Sequence, residues 1–287
     1  MPVEKGKLTI CSTPIGNLGD VTMRVLDALR TADVICAEDT RVTSRLLAAY
    51  GIEKRIERLD EAAISRQLER IVERLQHGEV IAYCTDAGMP GVSDPGLRLV
   101  RAAQDAGVEL EVLPGASAGV TAYVASGFTN QRFYFGGFLP RKEKEASQLL
   151  ESLKMLDAVL IFYESPARVV ASLKTILEVF PLREVAVCRE LTKLHEEVVR
   201  ARAQEVYDVF FDRSKKTSIK GEIVIVIDSA SGAECETLER DNELAAQARV
   251  STLKKEGIHS NKDIIAIIQR DFSIPRNIAY EMVVGKV

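Results

Sequence analysis

Four short strand-like runs in the first part of the chain, separated by helical spacing and Gly/Pro-rich turns, restrict it to a layered α/β fold. Leu8 to Ser12, Val34 to Ala37, Val80 to Cys84 and Val108 to Leu113 are too short for helices and read as strands. Asp20 to Arg30 has helical spacing, with Asp20 placed to cap it, and a further helical segment lies near Ser44 to Tyr50. Glu61 to His77 carries Ile64, Leu68, Ile71, Val72 and Leu75 on one face and stops at Gly78. Ser93-Asp94-Pro95 opens another helix, with Ser93 or Asp94 as its cap. This βαβα order predicts a mostly parallel sheet covered by helices on both faces.

A second set of elements follows. Phe133 to Pro140 reads as a strand and turn, Lys142 to Leu156 as a helix and Ala158 to Tyr163 as a buried strand. Ser165-Pro166 starts a further helix and Pro181 follows its end, while Glu184 to Cys188 and Glu222 to Asp228 complete a second sheet. Ser229 to Glu236 is small and polar, as a linker is, and the last fifty residues have helical spacing and no strand. The 287 residues thus divide into an N-terminal α/β domain (1–115), a C-terminal α/β domain (116–230) and a helical appendage (237–287).

Such a core needs no staple. The five cysteines (Cys11, Cys36, Cys84, Cys188, Cys235) are far apart and read as reduced core residues. With only His77, His195 and His259 besides, no metal site is expected. No apolar run is long enough to span a bilayer and the N-terminus lacks a signal-peptide pattern, which predicts a cytoplasmic location. The formal net charge of −4 gives no support to a nucleic-acid partner.

Three turns rich in Gly or Pro follow strands of the first domain: Thr13 to Asp20, Thr85 to Gly91, and Pro114 to Gly119. Ligands of open α/β sheets bind at the carboxyl ends of the strands, where such turns lie. Neither G-x-G-x-x-G after the first strand nor G-x-x-x-x-G-K-[ST] occurs, which disfavours dinucleotide enzymes and P-loop NTPases. Gly115 to Gly119 fits G-x-S-x-G, the nucleophile elbow of an α/β hydrolase, with Ser117 as nucleophile and His195 or His259 as base. That alternative lacks an oxyanion loop of the HGGG type and an acid to orient either histidine.

TPIGNLGDVTMRVLDAL, AEDTR, TDAGMPGVSDPG, LPGASA, GGFLP, FYESPAR, RELTK and KGE occur in this order between Leu8 and Asp228. Together they resemble the small-subunit rRNA methyltransferase I group within the tetrapyrrole methylase superfamily. The resemblance implies two α/β domains with S-adenosylmethionine (AdoMet) in the cleft between them. It implies cofactor contacts at Pro14, Asp86, Ala87, Gly88, Met89, Ser117, Ala118, Phe162, Tyr163, Leu191, Glu222 and Ile223. It also implies 2'-O-methylation of a cytidine ribose in the decoding region of small-subunit rRNA, and a homodimer. C-methylation of a tetrapyrrole is the alternative with the same cofactor and fold. Phe162 and Tyr163 read equally as strand core.

Three positions depart from the family's pattern: Met89 stands where Thr is usual, Leu59 to Ile64 lacks the usual His and Asn, and Ala146 replaces an Arg. A ribose hydroxyl is a weak nucleophile, so a base or cation near it would help. The candidates are Glu164, Glu190, Lys193 and Lys220, together with Glu38, Asp39, Arg41 and Arg168, or else these charges form a salt-bridge network. Arg213 to Lys220 has four cations and no acid and reads as a basic loop. Its Arg213, Lys215 and Lys216, with Arg41, Arg141, Lys142, Lys144 and Arg168, are the candidates for RNA phosphates.

Overall fold

The computed structural model describes residues 6–285, apart from the side chains of residues 233, 235, 238 and 239. The first half of the chain runs β1 (Lys7–Cys11), α1 (Met23–Thr31), β2 (Val34–Ala37), α2 (Thr40–Ala49), β3 (Ile56–Arg58), α3 (Glu61–Gln76), β4 (Val80–Cys84), α4 (Gly96–Asp105) and β5 (Glu109–Leu113). The strands form one parallel sheet in the order β3-β2-β4-β1-β5. Alternate residues serve opposite faces. Leu8 and Ile10 pack with Ile64, Ile71, Leu75 and Leu99 of α3 and α4, whereas Cys11 and Ile35 pack with Val25, Leu29, Leu46 and Leu47 of α1 and α2. Each fully buried Leu or Ile contributes roughly 1.5–3 kcal/mol. β5 closes one edge, where Glu111 binds Lys7 at 2.7 Å and Arg24 at 2.6 Å.

The helix starts are set by side-chain caps. Asp20 is not the cap of α1: it lies in a 3₁₀ turn, Leu18–Asp20, and the Thr22 hydroxyl accepts from Val25 N at 3.2 Å. Asp39 caps α2, which starts at Thr40, ahead of the expected Ser44. Asp60 caps α3, accepting from Ala63 N at 2.8 Å. Asp94 accepts from Gly96 N at the start of α4.

The second half runs α5 (Ala118–Ser126), β6 (Phe133–Phe138), α6 (Glu143–Ser152), β7 (Val159–Glu164), α7 (Val169–Val179), β8 (Glu184–Arg189), β9 (Glu197–Arg202), α8 (Ala203–Lys216) and β10 (Ile223–Ile227). Its sheet is mixed, in the order β6-β7-β10-β8-β9. β6 and β7 are parallel, with a bulge between Phe135 and Phe138, and the other pairs are antiparallel. The all-apolar β10 is central and wholly buried. α5 covers one face through Ala122, against Ile161, Ala186 and Val224. α7 and α8 pack together, and α8 lies on β8 and β9.

Two elements here escaped the sequence reading, β9 and α8. The basic loop expected over residues 213–220 is instead, as far as Lys216, the last turn of α8, where cations favour the negative end of the helix. Pro166 lies in a turn, and α7 begins only at Val169.

The chain divides into two compact units, residues 1–151 with 158–228, and residues 152–157 with 229–287. The second contains α9 (Gly232–Glu256), α10 (Asn261–Phe272) and α11 (Arg276–Val284) around Ala246, Val250, Leu253, Ile264, Ile268, Ala279 and Val283. Leu244 is exposed. Most of the expected 229–236 linker is also helical: Ser231 caps α9 by accepting from Glu234 N at 3.2 Å. Cys11, Cys36, Cys84 and Cys188 are buried and free, and the Cys235 side chain lies outside the described residues. No helix among the described residues is long and apolar enough to cross a membrane.

Candidate active site

A cavity of about 410 Å³ opens in the first unit, with walls from both sheets. Such a volume suits a small ligand. The first sheet contributes Glu38 after β2, Thr85 to Met89 after β4, the Val92 to Asp94 turn, and Ser117 and Ala118 at the start of α5. The second contributes Phe138, Tyr163 to Pro166, Cys188, Leu191 and the 221–224 segment that leads into β10. The first-sheet wall thus lies where the ends of parallel strands predict it.

Backbone geometry shapes the pocket floor. Gly88 exchanges two main-chain hydrogen bonds with Thr13, at 2.9 and 3.0 Å, and so ties the turn after β4 to the chain leaving β1. Its φ of +80° is one that side-chain-bearing residues rarely adopt. Ser117 occupies the N-cap position of α5, yet its hydroxyl makes no capping bond. Thr85 Oγ1 is buried and has no hydrogen-bond partner. A buried hydroxyl without a partner costs roughly 1–3 kcal/mol, which a polar ligand would relieve. These polar groups, set among apolar Ile15, Val92, Phe138 and Leu191, fit a ligand with ribose, amino-acid and apolar parts, as AdoMet has.

The expected cofactor contacts divide into two groups. Asp86, Ala87, Gly88, Met89, Ser117, Ala118, Tyr163, Leu191, Glu222 and Ile223 all line the cavity, whereas Pro14 and Phe162 do not. Phe162 is fully buried, edge-on to Tyr134. Alternation along β7 puts Tyr163 on the opposite face, against Phe135 and Phe138, and burial raises the pKa of its phenol.

The expected catalytic charges are mostly paired. Lys193 Nζ lies 2.9 Å from Glu190 Oε1 and 3.0 Å from Glu222 Oε2, and Glu222 N donates to Glu190 at 2.9 Å. The Lys193 hydrogen bond holds the Glu190 carboxyl below the usual range. Burial alone would lower the Lys193 pKa, but Glu190 and Glu222 outweigh it and hold the ammonium above its ordinary value. Gly221, at φ +97°, leaves room for Glu190, whose Cγ would stand 2.5 Å from any added Cβ. Glu190 (φ 54°) and Thr192 (φ 66°) are themselves in the left-handed region. Thr192 Oγ1 accepts from Asn17 N at 3.1 Å, so the loop after β8 meets the loop after β1.

Glu164 is buried and engaged with the Ser172 hydroxyl, Ser165 N and Arg168. Lys220 is exposed. Asp39 pairs with Arg41. Glu38 lines the cavity and pairs with no side chain, while Asp86 Oδ1 accepts from Asp39 N at 3.0 Å. Burial raises the pKa of both Glu38 and Asp86, and each has a second acid nearby that adds to the effect.

Two of the expected RNA-facing cations hold the fold instead. Arg168 donates to Leu139 O and Pro140 O at 2.9 and 2.8 Å, pinning the turn after β6. Arg213 makes two bonds of 2.7 Å to Glu197 and lies over the Phe210 ring. Arg41 is exposed although paired, and Lys142 reaches Glu145 at 2.8 Å. Lys215 reaches Asp212 at 3.0 Å and lies over the Phe211 ring, while Arg141, Lys144 and Lys216 are exposed.

Thr85, Ser93, Phe138 and Cys188 also line the cavity and were not expected at the site from the sequence. Thr85 had a signal, since it begins the turn already chosen for Asp86 to Met89. No histidine lines the cavity, which leaves Ser117 without the base that a hydrolase needs.

A family model described as tetrapyrrole (corrin/porphyrin) methylases matches residues 7–207. A protein of Thermotoga maritima named ribosomal RNA small subunit methyltransferase I is 43% identical over 222 residues, covering 77% of this chain and 98% of that protein. One of the same name from Bacillus subtilis is 38% identical over 279 residues, covering 97% and 94%. Among solved structures, a cobalt precorrin-4 methyltransferase matches with a TM-score of 0.57 and 18% identity, over 77% of this chain and 94% of that one. A diphthine synthase matches with a TM-score of 0.61 and 16% identity, over 82% and 95%. These likenesses show the fold, two α/β halves of the tetrapyrrole methylase type followed by a helical extension. Taken with the identities to the two bacterial proteins, they show that this chain belongs to the tetrapyrrole methylases and, among them, to the ribosomal RNA small subunit methyltransferase I family.

Proposed function

We propose that this chain is an AdoMet-dependent methyltransferase acting on the 2'-oxygen of a cytidine ribose in the decoding region of small-subunit (16S) rRNA. The observation that carries the reading is 38% identity across 97% of the chain, extension included, to a protein named for that rRNA class. When bound, AdoMet supplies a methyl group on a positively charged sulfur. The cleft residues hold and orient. Thr85, Ser117 and the main chain around Gly88 offer polar contacts, while Ile15, Tyr163 and Leu191 exclude water. Asp86, Ala87, Met89, Ala118, Glu222 and Ile223 complete the contacts assigned to the cofactor, at the seam of domains 1–115 and 116–230. Glu190, Lys193 and Glu222 fix the 221–223 wall, and Glu164 and Arg168 fix the turns beside it.

Phosphates of the substrate fall to the exposed cations Arg41, Arg141, Lys142, Lys144, Lys215 and Lys216. The 237–287 appendage helps to seat the enzyme on folded rRNA, and the enzyme works in the cytoplasm as a homodimer. The test is transfer of labelled methyl from AdoMet to small ribosomal subunits taken from cells that lack the enzyme, with uroporphyrinogen-type substrates in parallel. Label in a cytidine 2'-O-methyl group is the expected result. Label in the tetrapyrrole and none in the subunit would refute it.

A further inference from the structure

Most ionisable side chains lining the cleft already have polar partners. Asp94 accepts from Gly91 N and Gly96 N, Glu164 binds Ser172 and Arg168, Glu222 binds Lys193, and Asp86 accepts from Asp39 N. Cys188 Sγ donates to Ala122 O. Glu38 is different. It stands at the carboxyl end of β2, half-buried, and no side chain bonds to it. The acids bearing on it are Asp86 after β4, Asp94 before α4 and Asp60 before α3, and the Asp86 main-chain N–H donates to it. The cations near this corner are already bound to other acids, Arg41 to Asp39 and Arg58 to Asp60.

We propose that Glu38 is the catalytic residue that takes the proton from the attacking ribose hydroxyl. The proposal rests on the methyltransferase reading and adds to it the group that activates the substrate. The balance is simple. The hydroxyl oxygen bonds to the methyl carbon, the carbon–sulfur bond breaks and its electron pair stays on sulfur. The hydroxyl proton passes to the Glu38 carboxylate and then to water. Partial burial and the surrounding acids suit a base, because they raise its affinity for a proton. Glu190 and Glu164 are not free in this way: Glu190 is bound to Lys193, and Glu164 to Ser172 and Arg168.

The test compares wild type, Glu38→Gln and Glu38→Asp in methyl transfer to small subunits from about pH 5 to about pH 9. AdoMet binding is measured by calorimetry and the Glu38 carboxyl by carbon-13 NMR in the free protein. Glu38→Gln should lower kcat roughly 10²- to 10⁴-fold with AdoMet affinity unchanged. The wild-type rate should fall with acid along the NMR-observed titration of Glu38, which burial shifts upward from the ordinary carboxylate value. Glu38→Asp should keep that acid limb at a lower rate. A Glu38→Gln enzyme of normal rate, or one that keeps the acid limb, overturns the proposal. Loss of AdoMet affinity in step with rate also overturns it, because Glu38 would then be holding the cofactor. A wild type that binds AdoMet but methylates no subunit fails the substrate reading, and proton removal from a ribose hydroxyl fails with it.

Discussion

Replacing Arg213 with Met keeps the packing over Phe210 but removes both hydrogen bonds to Glu197. Glu197 is held well below its usual pKa of 4.5, at about 2, first by Arg213 and then by Arg189. That difference is worth at most about 3 kcal/mol at neutral pH. Arg189 remains at 3.0 Å in the variant, and the pair is a little over one-quarter exposed (29% and 28%), so water screens part of it. A loss of ~1–2 kcal/mol follows, or roughly 2–8 °C in Tm for a unit of this size. Because the acid's pKa is lowered by folding, its contribution is complete above the unfolded value and fades as pH falls toward about 2. Urea unfolding of wild type and Arg213→Met should therefore differ at pH 7 and converge as pH drops below about 4.5. Binding to rRNA should be equal for the two. Equal stability at pH 7, with RNA affinity lost in the variant, would refute the ion-pair account and return Arg213 to the RNA surface.

Further outcomes follow from the cleft and its surroundings. Gly88→Val forces a branched side chain to φ +80°, costing roughly 1–3 kcal/mol, and should abolish AdoMet binding by calorimetry while circular dichroism shows the fold retained. Replacing Lys215 and Lys216 together with Ala should flatten the salt dependence of RNA binding by roughly one to two units of slope, with AdoMet affinity unchanged. A chain ending at Ser229 should still bind AdoMet by calorimetry but lose methyl transfer to subunits, and normal transfer would show that the appendage has no seating role.

The buried strands and the cleft turns were legible because burial on both faces leaves its mark in continuous apolar sequence, as in LTIC and IVIVI. What escaped was chemistry at edges and in partner choice. β9 reads EVVRAR, one side chain in two polar, because it is an edge strand facing water on one side. β3 has three residues, too few for a period. α8 was hidden by its basic last turn, although Val206 and Phe210 have helical spacing. The roles of charges were the least legible. Arg213 and Glu197 are sixteen residues apart, and Arg168 bonds to main-chain oxygens that any sequence would supply. Thr22 displaced Asp20 as cap because a 3₁₀ turn takes up the intervening residues, which spacing alone does not reveal. At the site, the turns were readable, but the unpartnered Thr85 hydroxyl exists only once the sheets enclose it.

The central place of β10 in the second sheet bears on the order in which the protein is made. Every strand of the first sheet has left the ribosome once Leu113 has, so that sheet can close while the rest is still being translated. The second sheet cannot. β7 and β8 join only through β10, the last strand of the unit to be synthesised. Until it emerges, the apolar backbones of VLIFYE and EVAVCR present open edges that neighbouring nascent chains can pair with. The same late strand brings in residues 221–224 of the cleft wall. Competence to bind cofactor therefore arrives in the same step that pairs the inner edges of β7 and β8, and a nascent chain that has bound AdoMet has already closed that gap.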